Sequence, residues 1–225
     1  MHIPTQCLDQ DGYTGSIDAI YQQYLQLLLA GDRQGCRQLV AALLDQRVPI
    51  KRLYLDLFQR ALYQVGEMWA QGTVSVAKEH LATAITESML NLVYPALFRQ
   101  TRCGRTAVVA CVANEYHQLG AKMVADIIET HGWDGYFLGA NTPVEDLLTL
   151  LAEKQPDLLC LSISIHANLP ILVGTIERIR ERFPTLPIVV GGQAFCWGTA
   201  DPLTGFAGLR LLNNLDELEQ ELAQC

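Results

Sequence analysis

The sequence predicts an α + α/β protein. An N-terminal four-helix bundle is followed by a doubly wound, flavodoxin- or Rossmann-like domain on a five-stranded parallel sheet. Three observations carry this. Apolar residues recur at helical spacing through the first hundred positions. From Thr106 onward, short apolar runs alternate with helical stretches. The period changes across Thr101–Arg105, which sets a boundary there. The expected organisation is a short N-terminal segment over 1–15, a bundle over 16–100 and a sheet domain over 104–225.

In the first half, Ile17, Ile20, Tyr21, Tyr24, Leu25, Leu28 and Leu29 form one helical stripe, with Ser16 as N-cap and Gly31 as stop. A second helix is expected from about Asp32 to Gln46. A third starts at Pro49, a residue suited to a first turn, and reaches about Ala70. A fourth covers about Ser75 to Gln100, with Pro95 ending or kinking it. Short links between four helices predict an antiparallel bundle. In the second half, TAVVACVA (106–113), LLCLSIS (158–164) and PIVVGG (187–192) are compact apolar runs, the mark of strands buried on both faces. DGYFLG (134–139) and LRLL (209–212) are weaker strands. Helical stretches occupy 117–131, 144–154, 169–183 and 215–223.

Half of the residues are hydrophobic and 18% are charged, enough to bury a core. The net charge of −8, with no run of Lys and Arg, argues against direct nucleic-acid binding. The seven cysteines are odd in number, widely spaced and without a CxxC, which fits reduced thiols better than a disulfide framework or a zinc site. No basic start leads into an apolar run, and no apolar stretch reaches the ~18 residues of a membrane span. A cytoplasmic protein without a membrane segment is expected.

Ligands of open parallel sheets sit beyond the carboxyl ends of the strands. There the chain reads NEYHQLG, LGANTP, SISIHANLP and VVGGQAF. Glu115, His117 and Gly120 make E-x-H-x-x-G directly after the first strand. A carboxylate two residues before a histidine can accept the proton of one ring nitrogen and raise the basicity of the other toward a metal. Alternatively, Glu115 caps the following helix. With Ser162 and Ser164 on the third strand and Gly191-Gly192 after the fourth, the pattern resembles the cobalamin-binding domain of methionine synthase and its relatives, over about 104–225. The resemblance implies that His117 is the lower axial ligand of cobalt. It also implies that the Ser and Gly residues line the channel of the displaced nucleotide tail. Many relatives carry Leu or Thr where this chain has Ser164.

In the helical half, Trp69, nine residues, then Glu79-His80, with Val76 between, resembles the light-sensing cobalamin proteins of the CarH type, as does LGANTP. The resemblance implies that Trp69, Val76, Glu79 and His80 lie against a 5'-deoxyadenosyl group above the cofactor, with Glu79 on its ribose. Read from the residues alone, Trp69 also suits a bundle core and Glu79-His80 a solvated helix start. Two departures stand out. CarH-type proteins carry a helix-turn-helix domain before the bundle, and only about fifteen residues precede the first helix here. The histidine that follows the Trp in some members is Ala70.

The implied function is a stand-alone adenosylcobalamin-dependent light sensor, not an enzyme. It would act through a protein partner such as a transcriptional regulator, with homo-oligomerisation left open. The alternative is a corrinoid methyl-carrier of a methyltransferase system. Those carriers usually read D-x-H-D-I-G-K, whereas here Glu115 replaces the Asp, Gln118-Leu119-Gly120 follows the His, and Ala121 takes the Lys position. Of the other histidines, His131 at a helix end reads as structural. His166 follows the third strand, and His2 precedes the bundle.

Overall fold

A computed structural model of the chain describes residues 17–98, 101–197 and 203–224. The segment 1–15 with His2 and Cys7, the Ser16 cap and Cys225 lie outside the described residues. The chain divides into two compact units, residues 1–95 and 96–225.

In the first unit, α1 (Ile17–Ala30) ends where Gly31 takes φ +70° and donates its N–H to Leu28 O. α2 (Arg33–Asp45) starts after Asp32, whose carboxylate accepts from Gly35 N at 2.9 Å. α3 (Ile50–Arg52) runs without a break through a π-helical stretch, Leu53–Gln59, into α4 (Arg60–Ala70). α5 spans Val76–Leu97. Pro95 lies inside its last turn, so the helix continues past the proline that was expected to end or kink it. Tyr24, Tyr54 and Phe58 are fully buried, with ring centroids 5.6 Å and 6.0 Å apart for the pairs Tyr24–Phe58 and Tyr54–Phe58. The Tyr24 hydroxyl meets Thr86 Oγ1 at 3.1 Å, which removes the cost of burying both groups unpaired.

The second unit carries five parallel strands: β1 (Thr106–Cys111), β2 (Asp134–Phe137), β3 (Leu158–Ser162), β4 (Ile188–Gly191) and β5 (Leu209–Leu211). Their order in space is β2-β1-β3-β4-β5. Between them run α6 (Leu119–Thr130), α7 (Val144–Lys154), α8 (Leu169–Arg182) and the short α9 (Ala194–Trp197), and α10 (Leu215–Gln224) follows β5. One face of the sheet presents Val108, Ala110, Leu159, Leu161, Ile188 and Val190 to Leu147, Leu148 and Leu151 of α7 and to Leu172, Ile176 and Ile179 of α8. Alternation puts Val109, Cys111, Cys160, Ser162 and Gly191 on the other face, toward α6 and α10. Each fully buried Leu, Ile or Val here contributes ~1.5–3 kcal/mol. The chain leaves β1 toward one edge and reaches β3 on the other side of β1. The loops after β1 and β3 therefore diverge and open a crevice between them.

Candidate functional site

Glu115 sits in that crevice. It follows Asn114, which turns the chain off β1 at φ +65°. Its side chain is 0% exposed and accepts five hydrogen bonds. Oε1 receives His117 N at 2.9 Å and the His117 ring through Nδ1 at 2.6 Å. Oε2 receives Ser164 N at 2.8 Å, Ile165 N at 3.1 Å and Asn168 Nδ2 at 3.1 Å. Burial alone would push the carboxyl pKa up. The His117 ring and the amides of His117, Ser164 and Ile165 outweigh it and bring it down to about 2. Glu115 is thus a buried carboxylate held charged by N–H donors from both loops, and it does not cap α6.

His117 is the outward end of this arrangement, its side chain 59% exposed above a buried partner. A carboxylate at Nδ1 places the proton of the neutral ring there and the lone pair on Nε2. Among the described residues no three His, Cys, Asp or Glu side chains gather as a metal site. The donor set is one oriented imidazole, which suits a metal that brings its other ligands in a ring. Tyr116, next to the histidine in the chain, and Ile165, whose N–H meets Glu115, are 67% and 46% exposed and offer apolar surface.

The remaining motif residues take separate places. Ser162 ends β3 between Cys111 and Gly191 in register, on the α6 side of the sheet. Ser164 meets Glu115 through its backbone amide. Gly192 has φ +116°, and a Cβ there would stand 2.1 Å from Ile163 O, so the chain's own backbone demands glycine. Gly120, second in α6, is the opposite case: a Cβ would meet nothing within 4 Å. Gly120 is exposed, so the chain's own packing does not require glycine there. Thr142 Oγ1, after β2, is shielded from solvent without a hydrogen-bond partner. These features fit a large polar ligand lying over the strand ends.

In the first unit, Trp69 lies in the last turn of α4 and Val76 begins α5, and in the turn that joins the helices Thr73 N and Val74 N both donate to Met68 O. Trp69 is 51% and Val76 50% exposed, so Trp69 is not bundle core. Glu79, in the first turn of α5, accepts from Thr83 Oγ1 at 3.0 Å and contacts His80 Nδ1 at 2.6 Å. His131 closes α6, its Nδ1 2.9 Å from Ile127 O, in a structural setting. His166 is exposed at the start of a 3-10 turn (His166–Asn168).

Sequence reasoning missed Asn168, Asn141, Tyr116 and Ile165. Asn168 stands four residues past Ser164 in SISIHANLP, and an Asn just before an apolar helix reads as a cap, so only the fold reveals its bond to Glu115.

Residues 105–204 match a family model described as a B12 binding domain, and residues 20–94 match a second model of the same description. The chain belongs to the cobalamin-binding proteins. It is 31% identical over 149 residues to the HTH-type transcriptional repressor CarH of Myxococcus xanthus, covering 65% of this chain and 49% of that protein. It is 32% identical over 120 residues to the repressor CarA of the same organism, covering 53% and 41%. It thus spans about half or less of these curated relatives. The monomethylamine corrinoid protein of Methanosarcina barkeri shares the fold, with a TM-score of 0.80 at 14% identity over 93% of this chain and all of that one. No helix among the described residues is long and apolar enough to cross a membrane.

Proposed function

We propose that this cobalamin-binding protein is an adenosylcobalamin-dependent light sensor that passes its signal to a protein partner, a transcriptional regulator or other effector. His117 would hold cobalt through Nε2, with Glu115 orienting the ring and keeping its proton on Nδ1. Ser162, Ser164, Gly191 and Gly192 line the path of the nucleotide tail, and Gly120 leaves space for it. Trp69, Val76, Glu79 and His80 hold the adenosyl group. When bound, adenosylcobalamin supplies a Co–C bond that visible light breaks. Trp69 and Glu79 would hold the adenosyl group, so the balance of conformations at the α4–α5 corner would depend on whether it is present.

The observation that carries the reading is the α4–α5 corner. Trp69 in the last turn of α4 and Val76 at the start of α5 are each about half exposed, and Glu79, in the first turn of α5, is already oriented by Thr83 and His80. That suits a flat heterocycle with a ribose better than it suits water. The repressor names of the two curated relatives support a regulatory output. The competing reading, a methyl carrier, uses the same lower face and leaves this corner without a task.

The test loads the protein with adenosylcobalamin or methylcobalamin in the dark and measures both affinities. Hydrogen exchange is then followed before and after green light. Because the cofactor absorbs light with or without protein, the deciding readout is the protein. The reading expects tighter binding of the adenosyl form and faster exchange over 69–80 after illumination. Equal affinities and unchanged exchange would favour the carrier.

A further inference from the structure

We infer that Asn141 is a positioning residue for the axial histidine, acting through the backbone on both sides of Glu115. The inference rests on His117 as the cobalt ligand. Asn141 Oδ1 accepts the N–H of Asn114 at 2.8 Å, and Asn141 N donates to Glu115 O at 2.8 Å. One residue in the loop after β2 thereby grips the amide of the residue before Glu115 and the carbonyl of Glu115 itself. Both asparagines have positive φ, +65° at Asn114 and +51° at Asn141. At Asn114 the left-handed turn swings the amide out of the β1 direction, so it needs an acceptor from elsewhere. At Asn141 the same conformation aims its own N–H back at Glu115.

Neighbouring bonds hold the two loops in register. Thr142 N donates to Cys111 O at 3.1 Å, Val112 and Thr142 form an isolated parallel bridge, and Ala140 N donates to Gln118 Oε1 at 3.2 Å. The loop after β2 is thus fastened before, at and after the His117 segment. The Glu115 carboxylate sets the His117 ring, but its own position depends on where its backbone is held, and Asn141 holds it.

The chemistry required at 141 is narrow. The residue must tolerate positive φ and present a side-chain oxygen acceptor on Cγ, which Asn and Asp do. Asp therefore keeps both properties, Gly keeps the conformation and loses the acceptor, and Ala loses both. A ranked series follows: Asn141→Asp close to the unmodified protein, Asn141→Gly intermediate, Asn141→Ala worst. Loss of one such hydrogen bond lowers the equilibrium between histidine-bound and histidine-free cobalt roughly three- to tenfold.

The experiment loads each variant with cob(II)alamin and reads the nitrogen coupling of the axial ligand by electron paramagnetic resonance. Ring-labelled 15N-histidine identifies the source. In parallel, hydrogen exchange is measured at residues 114–118 of the cobalamin-free protein. The expected result is His117-dependent coupling that weakens in the order Asp, Gly, Ala, with loss of protection in the same order. Coupling that vanishes in His117→Ala but is unchanged in Asn141→Gly and Asn141→Ala, with protection intact, overturns the inference and leaves the ligand assignment standing. If the unmodified protein has no histidine coupling, the ligand assignment falls. Protection over 114–118 that does not respond to Asn141 overturns the clamp whatever cobalt does.

Discussion

Two of the motif glycines, Gly192 and Gly120, have different reasons to be glycine, and alanine substitution separates them. At Gly192 an L-residue would be placed at φ +116°, at a cost of ~1–3 kcal/mol. Its Cβ would also stand 2.1 Å from Ile163 O and 2.9 Å from the carbonyl carbon, backbone atoms that cannot rotate away. Relief requires the turn between β4 and α9 to move. That breaks Ala194 N to Ile163 O and Phe195 N to Gly192 O, each contributing ~0.5–1.5 kcal/mol. Gly192→Ala should therefore destabilise the cobalamin-free protein by about 3–5 kcal/mol, a large share of the ~5–15 kcal/mol of a typical domain. Gly120→Ala meets open space in the first turn of α6, where Ala is favoured by up to ~1 kcal/mol over Gly. It should leave the cobalamin-free protein as stable or slightly firmer while weakening cobalamin binding. Urea unfolding measures the first effect as a fall in midpoint at constant slope, and equilibrium titration with cobalamin measures the second. A Gly192→Ala protein within 1 kcal/mol of the parent refutes the close-approach argument. Undiminished cobalamin affinity in Gly120→Ala refutes the reading that Gly120 makes room for the ligand.

Glu115 gives a pH prediction for the cobalamin-free protein. Its carboxyl is depressed from 4.5 to about 2 in the folded state, so its stabilisation is full above pH 4.5 and is lost as pH falls toward 2. At ~1.4 kcal/mol per unit this amounts to roughly 3 kcal/mol, and Glu115→Gln should flatten the acid limb of a stability–pH curve; an unchanged limb contradicts it. Trp69→Ala removes a side chain already half in water, so the cobalamin-free melting temperature should move by no more than a few degrees while the preference for adenosylcobalamin falls. A large loss of stability would return Trp69 to the core. Among the described cysteines, peptide-level mass spectrometry after brief alkylation should find Cys103 and Cys196 modified first. Cys36, Cys111 and Cys160 are buried, and burial raises the first two thiols to about 11 and about 12 and the third higher still, so early labelling of any of these would count against the packing described.

The fold was legible where burial imposes a simple pattern. β1, β3 and β4 are covered on both faces, so they read as unbroken apolar runs, and their helices carry one apolar stripe each. β2 and β5 form the two edges of the sheet and are only half-buried, which is why DGYFLG and LRLL were the weaker signals. The π-helical turn at Leu53–Gln59 left no trace, because over seven residues i→i+5 bonding points nearly the same side chains inward as i→i+4 bonding. The short α9 was missed for want of length.

The sequence by itself determined the succession of helices and strands and the spacing of Glu115 and His117. Those depend on neighbours along the chain, where hydrophobic period and motif order are written directly. It could not decide whether Glu115 caps a helix or orients a histidine, nor whether Trp69 belongs to a core. Those questions turn on groups far apart in sequence. Ser164, Ile165 and Asn168 reach Glu115 only because β1 and β3 are adjacent in the sheet, Asn141 reaches it because β2 lies on the other side of β1, and Trp69 stays half exposed because the bundle core closes around Tyr24, Tyr54 and Phe58.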